Sequence, residues 1–169
     1  NPANLQNGNI VPDSDCRVDD STRWRLIRHE LRQGDIVFAR RGEMGRCALV
    51  TEHEEGWLCG TVSLTVRPDT VLCHPSYLNL VLSIRGIKDW LSLESVGSTM
   101  ENLNTAILSR TPVPNPPPSE QYAIVAFLSH ETLKIDALIS KVREHIEKLK
   151  EYRIALISAA VTGKIDVRP

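Results

Sequence analysis

The sequence lacks an excess of either charge: 20 Lys and Arg stand against 21 Asp and Glu, a formal net charge of -1 over 169 residues. That excludes a polybasic binder held by a global field, so any nucleic-acid contact must come from a local patch. No lysine precedes Lys88. A metal nuclease built on clustered carboxylates with a lysine is therefore poorly encoded, since Asp35 and Glu43 stand apart. No two of Cys16, Cys47, Cys59 and Cys73 form a CxxC pair, and the Cys and His residues never take a tetrahedral zinc spacing. No metal and no cofactor are expected. Reduced, buried thiols in a reducing, cytoplasmic compartment are expected instead. No apolar run reaches about 18 residues, so no membrane-spanning helix is expected, and no leader is visible. GxSxG, HExxH and P-loop motifs are missing. Gly42 and Gly45 precede a strand-like run rather than a helix, which rules out a phosphate-binding loop. The chain is read as non-catalytic. It opens on Asn1-Pro2 without Met, which fits a fragment of a longer protein.

What is present divides near residue 112. A 41% hydrophobic composition supports one domain with a core plus an additional element. The first part, residues 1–111, reads as a small, mostly β domain with short helices. Asp35–Ala39 and Cys47–Val50 are candidate strands joined by a glycine turn. Thr61–Val66 alternates hydroxyl and aliphatic residues, which predicts a strand with one buried and one polar face. Residues 76–85 and 87–93 read as helices, 97–104 as a loop, and Ile107-Leu108 as a short strand. Residues 112–118 carry five prolines and form a stiff, extended linker. The fold class is α+β, with a long coiled-coil helix after the linker, in residues 119–169.

That helix is encoded by an apolar seam. Ile135, Leu138, Val142, His145, Leu149, Tyr152, Leu156 and Ala159 alternate steps of three and four, the spacing of coiled-coil core positions. Ile139 and Ile146 widen the stripe. Gly163 stands where a helix end takes a left-handed residue. A helix of about 25 to 30 residues would extend roughly 40 Å, more than a domain of this size covers. Burial of one seam side chain contributes about 1.5 to 3 kcal/mol. The interface residues Ile135, Leu138, Val142, Leu149, Tyr152 and Leu156 therefore call for a partner helix. The competing reading folds the helix back on the β domain.

One run of arginines stands out. Arg23, Arg25, Arg28, Arg32, Arg40, Arg41 and Arg46 face three carboxylates in the same stretch, a local net of +4. Arginine reads guanine edges and grips phosphates through two parallel hydrogen bonds. Arg40, Arg41 and Arg46 flank a turn that would carry them into a groove. Thr61 and Ser63, with Ser98, Thr99, Asn102 and Asn104, are lesser candidates for phosphate or base contacts. The plainer reading is a solvated surface with salt bridges.

Three segments resemble the specificity (S) subunit of Type I restriction-modification systems. The first is Leu31-Arg32-Gln33-Gly34-Asp35-Ile36-Val37-Phe38-Ala39-Arg40-Arg41-Gly42 with Gly45-Arg46-Cys47-Ala48-Leu49-Val50. The second runs from Gly97 through Leu103-Asn104 to Pro112-Val113-Pro114. The third begins at Glu120-Gln121 and ends at Ala159-Ala160-Val161-Thr162-Gly163-Lys164-Ile165-Asp166. The resemblance implies a target recognition domain followed by a helical spacer, reading half of a split site in double-stranded DNA. It implies partners: methyltransferase (M) and restriction (R) subunits, which hold the activities, and a second helical spacer. The first strands of the domain look missing by comparison with the family pattern. In isolation the seam is expected to self-pair as an antiparallel homodimer. The alternative function is a coiled-coil assembly module without DNA readout.

Overall fold

The computed structural model describes residues 2–6, 8–13, 15–95 and 103–167. The chain divides into two compact units, residues 1–125 and 126–169.

The first unit opens on a short antiparallel hairpin, β1 (Leu5–Gln6) and β2 (Asn9–Ile10), with Leu5 opposite Ile10. Helix α1 (Asp20–Arg25) follows. Its N-cap is Asp19, whose carboxylate accepts from the Thr22 N–H at 2.7 Å, which supplies one of the acceptors that the first helical turn lacks. Three strands come next: β3 (Ile36–Ala39), β4 (Cys47–Leu49) and β5 (Ser63–Val66). They form an antiparallel sheet in the order β4-β3-β5, with Phe38 opposite both Cys47 and Leu64. Helices α2 (Pro75–Ser83), α3 (Arg85–Ser95) and α4 (Thr105–Ser109) complete the unit before α5 (Pro118–Val161) begins.

Strand alternation sends β3 side chains to two different cores. Ile36 and Phe38 pack with Leu78, Leu82, Ile87 and Leu91, from α2 and α3. Val37 and Ala39 pack with Ala48, Leu5, Leu31 and Val50. All four residues of β3 are buried as a result. The expectation for β5 is corrected at one position of its polar face. Ser63, assigned to a polar face, is buried, whereas Thr65 is exposed. Thr61 and Val62 lie in a turn ahead of the strand.

A second correction concerns Ile107-Leu108, which are helical in α4. The Asn104 side chain accepts from the Ile107 N–H at 2.9 Å, an N-cap bond that starts a helix where the apolar pair alone reads as a strand. Of the expected loop at 97–104, residues 97–102 lie outside the described residues, and with them the candidate contacts Ser98, Thr99 and Asn102.

The proline segment is fastened to the first unit. Tyr77 donates its hydroxyl to the Pro114 carbonyl at 3.0 Å. Gln121, on the first turn of α5, is fully buried. Its Oε1 accepts from the His74 N–H at 2.7 Å, and its Nε2 donates to Leu72 O, Asn115 Oδ1 and Pro116 O at 2.9–3.0 Å. The first unit therefore extends to residue 125, beyond the boundary that composition draws near 112.

α5 is 44 residues long, about 65 Å at 1.5 Å per residue. It is longer than the seam alone predicts because it starts at Pro118. Proline suits the first helical position, where its missing N–H has no helical partner to lose. Within the second unit, short-range pairs such as Lys148 with Glu144 at 2.6 Å and Lys150 with Glu147 at 2.7 Å decorate the helix. The helix closes at Gly163, with φ 74°, and Lys164 N–H returns to Ala159 O at 2.9 Å. Ile135, Leu138, Val142, Leu149, Tyr152 and Leu156 are 44–66% exposed.

Among the described residues no helix is long and apolar enough to cross a membrane. All four cysteines are free thiols. Cys47 is buried, but Cys16 is exposed and donates to Asp13 Oδ2 at 3.2 Å, contrary to the expectation that the thiols are buried.

Candidate nucleic-acid interface

The arginine run is not one patch. Arg23 pairs with Glu30 and lies against Gly56, ahead of β3. Arg40, Arg41 and Arg46 lie in the β3–β4 connection, beyond the other end of the strand. The strand separates them into two groups, so the net charge of the run does not act at one place.

The β3–β4 turn is built by two glycines and one methionine. Gly42 and Gly45 take φ values of 85° and 75°, a region that side chains with a Cβ disfavour. Met44 between them is buried in the core shared with α2 and α3. Gly45 meets α3 so closely that a Cβ there would stand 2.9 Å from Lys88 Cγ and 3.3 Å from Leu91 Cδ1. The Arg46 N–H returns to Glu43 O at 3.3 Å, closing the turn. Arg41, Gly42 and Glu43 form its exposed tip.

The structure gives the candidate contact residues different surroundings. Arg40 is half-buried and engaged: its Nε donates to Leu103 O at 3.3 Å and its Nη1 to Thr61 O at 3.4 Å. Its backbone carbonyl accepts from Leu103 N–H at 2.9 Å. Arg40 thus holds the turn near Thr61 and the start of the Leu103 segment together. Arg41 is exposed, and it lines a small pocket of about 70 Å³ with Arg40, Thr61 and Val62. Arg46 is half-buried, and its Nε is buried without a hydrogen-bond partner among the described residues. Ser63 is only 7% exposed, with its Oγ likewise unpartnered. It sits beside Ala39 in the sheet, on the opposite side from Arg46, which accepts the Ala39 N–H at 2.9 Å. The geometry brings Arg40, Arg41 and Thr61 together at one surface and withdraws Ser63 from solvent. Asn104 is occupied as the cap of α4.

Three residues that composition did not single out organise this end of the unit: Met44, Lys88 and Leu103. Lys88 Nζ approaches Glu43 Oε1 at 3.6 Å, and both line a cleft of about 400 Å³ with Ser83, Arg85, Asp89 and Ser92. The only available signal for Lys88 was its place on the polar side of α3, which does not identify a neighbour 45 residues earlier. Among the described residues no group of three or more His, Cys, Asp or Glu side chains is placed to hold a metal ion.

A family model described as the Type I restriction modification DNA specificity domain matches residues 29–148, a span that contains the arginine turn and most of α5. Two solved chains share the fold. One is the HsdS subunit from Thermoanaerobacter tengcongensis, with a TM-score of 0.64 and 23% identity, covering 99% of this chain and 44% of that one. The other comes from work on complex assembly and conformational transition of the type I R-M system, with a TM-score of 0.64 and 22% identity, covering 83% of this chain and 37% of that one. The chain thus spans less than half the length of either. No curated protein matches the sequence.

Proposed function

The chain belongs to the Type I restriction modification DNA specificity domain family, and from that premise we propose that it reads one half of a bipartite site in double-stranded DNA. It performs no reaction itself. Methylation and cleavage fall to methyltransferase and restriction subunits in the cytoplasm, and α5 joins the reading unit to the methyltransferase subunit and to a second helical spacer.

The observation that carries this reading is the exposed tip at Arg41, mounted on a turn whose next residues are locked into the core at Met44 and against α3 at Gly45. A guanidinium presented on a fixed turn is suited to a guanine edge or a phosphate. Thr61, in the same pocket, adds a hydroxyl. Arg46 supports the turn from its strand side. Arg40 and Ser63 contribute through position: Arg40 fastens neighbouring backbone, and Ser63 sits under the sheet.

Gel retardation of the chain combined with its methyltransferase subunit tests the proposal. Sequence-preferring retention at moderate salt is expected. Arg41→Ala is expected to weaken it by about 1 to 3 kcal/mol if the contact is to a base edge. Retention that ignores sequence, or none, overturns the reading. It would favour the second reading, an assembly module, which is motivated by the exposed stripe on α5.

A further inference from the structure

We propose that Glu43 is a specificity-determining residue of the turn, and that its carboxylate accepts a hydrogen bond from the exocyclic amine of a cytosine or adenine in the major groove. This rests on the reading of the turn as a DNA contact and assigns it a second, acceptor-bearing element beside Arg41.

The first support is position. Glu43 is the last exposed residue of the tip, and Met44 behind it is only 6% exposed. The backbone that bears Glu43 is therefore fixed on one side by the core and by α3, while its side chain remains 65% exposed. The second support is its unused acceptor capacity. Among the described residues its carboxylate meets one cation, Lys88 Nζ at 3.6 Å, which is beyond hydrogen-bond distance. Lys88 orients the group without saturating it. The third support is space: the carboxylate borders an open cleft of about 400 Å³ that it lines with Arg85, Lys88 and Asp89, so it is free to be carried on the tip into a groove.

Electrostatics then selects the ligand. A carboxylate brought toward a duplex is repelled by phosphates, so Glu43 lowers affinity for any sequence that does not offer it a donor. In the major groove the donors are the N4 amine of cytosine and the N6 amine of adenine, whereas guanine and thymine present acceptors at the corresponding positions. Glu43 should thus admit cytosine or adenine and reject the other two. Arg41, two residues earlier, supplies the complementary donors for a guanine.

The consequence has two opposite signs, and they separate this role from others. Removing the carboxylate should raise affinity for random duplex and, at one position of the site, erase the preference. The full chain with its methyltransferase subunit, selected against a duplex library randomised across the half-site, provides the test, with Glu43→Ala and Glu43→Gln compared to wild type and thermal melting used to verify folding. The expected result is a cytosine or adenine preference in wild type that drops roughly ten-fold in Glu43→Ala, within the range for one base-edge contact. The base recovered distinguishes the two amines. Glu43→Gln, whose amide can pair with adenine N6 and N7 together, should turn a cytosine preference toward adenine. A wild-type preference retained in both variants overturns this inference alone. Higher random affinity with unchanged selection also overturns it, because that is the behaviour of a solvated surface charge. Absence of any sequence preference in wild type overturns both this inference and the reading of the turn on which it rests.

Discussion

Arg67 and Asp35 form a two-point ion pair, Nε to Oδ1 at 2.7 Å and Nη2 to Oδ2 at 2.6 Å. Asp35 is 1% exposed, and its Oδ2 also accepts from the Arg32 N–H at 2.9 Å. The pair ties the residue before β3 to the residue after β5. Arg67→Ala would leave the buried carboxylate with the Arg32 N–H, and should destabilise the chain by about 3 kcal/mol, the lower end for a broken buried pair because Arg67 itself is half-exposed. Urea denaturation of the variant measures this, and replacing both partners by Asn and Met should be milder than losing Arg67 alone.

Gln121 makes an independent prediction at the root of α5. Gln121→Met fills a similar volume but removes every hydrogen bond of the buried amide, leaving the His74 N–H and the Leu72 and Pro116 carbonyls without that partner. A loss of about 2 to 3 kcal/mol is expected from unsatisfied buried groups. An unchanged denaturation midpoint would show that these groups find other partners.

Cys47 gives a pH signature. Burial pushes its thiol up to about 11 from an ordinary 9.0. The folded chain therefore keeps a proton that the unfolded chain releases above pH 9, so stability must fall as pH rises from about 9 to 11. The loss should reach about 2 kcal/mol near pH 11. It should be smaller by that amount in Cys47→Val, which separates the thiol from other groups that titrate there. At neutral pH a thiol reagent should modify exposed Cys16 well before Cys47.

The stripe on α5 predicts an association phenotype. Leu138→Glu with Val142→Glu places two charges where Leu138 and Val142 are now 62% and 58% exposed apolar surface. The double variant should keep its helix content yet lose self-association in sedimentation, and lose the methyltransferase complex. A mass and complex yield equal to wild type would mean that the stripe pairs with nothing through these positions.

Some of this was legible in the residues because local chemistry and final structure agree. Ile36–Ala39 and Cys47–Leu49 are strands where β-branched and small apolar residues flank glycines, and Gly163 ends α5 in the expected left-handed conformation. The helix α5 was readable because its period needs no long-range information. Ile107 misled, since a cap contributed by Asn104 outweighed its strand preference. Ser63 misled too: a period of two identifies two faces, but not that the polar one is covered at Ser63 and open at Thr65. In the candidate interface, seven arginines in one stretch of sequence looked like one surface. The sheet between them, and the engagement of Arg40 with Leu103 and Thr61, depend on contacts many residues apart that spacing does not encode.

The anchoring of the β3–β4 turn has an evolutionary corollary. Met44 and Gly45 are tied to the scaffold, whereas Arg41 and Glu43 at the tip are exposed. On the proposed reading of the turn, folding and recognition fall to different residues of one short segment. Under that proposal, single exchanges at 41 and 43 would change the preference while the hydrophobic interior stays intact, so that a change of target would draw on no spare stability.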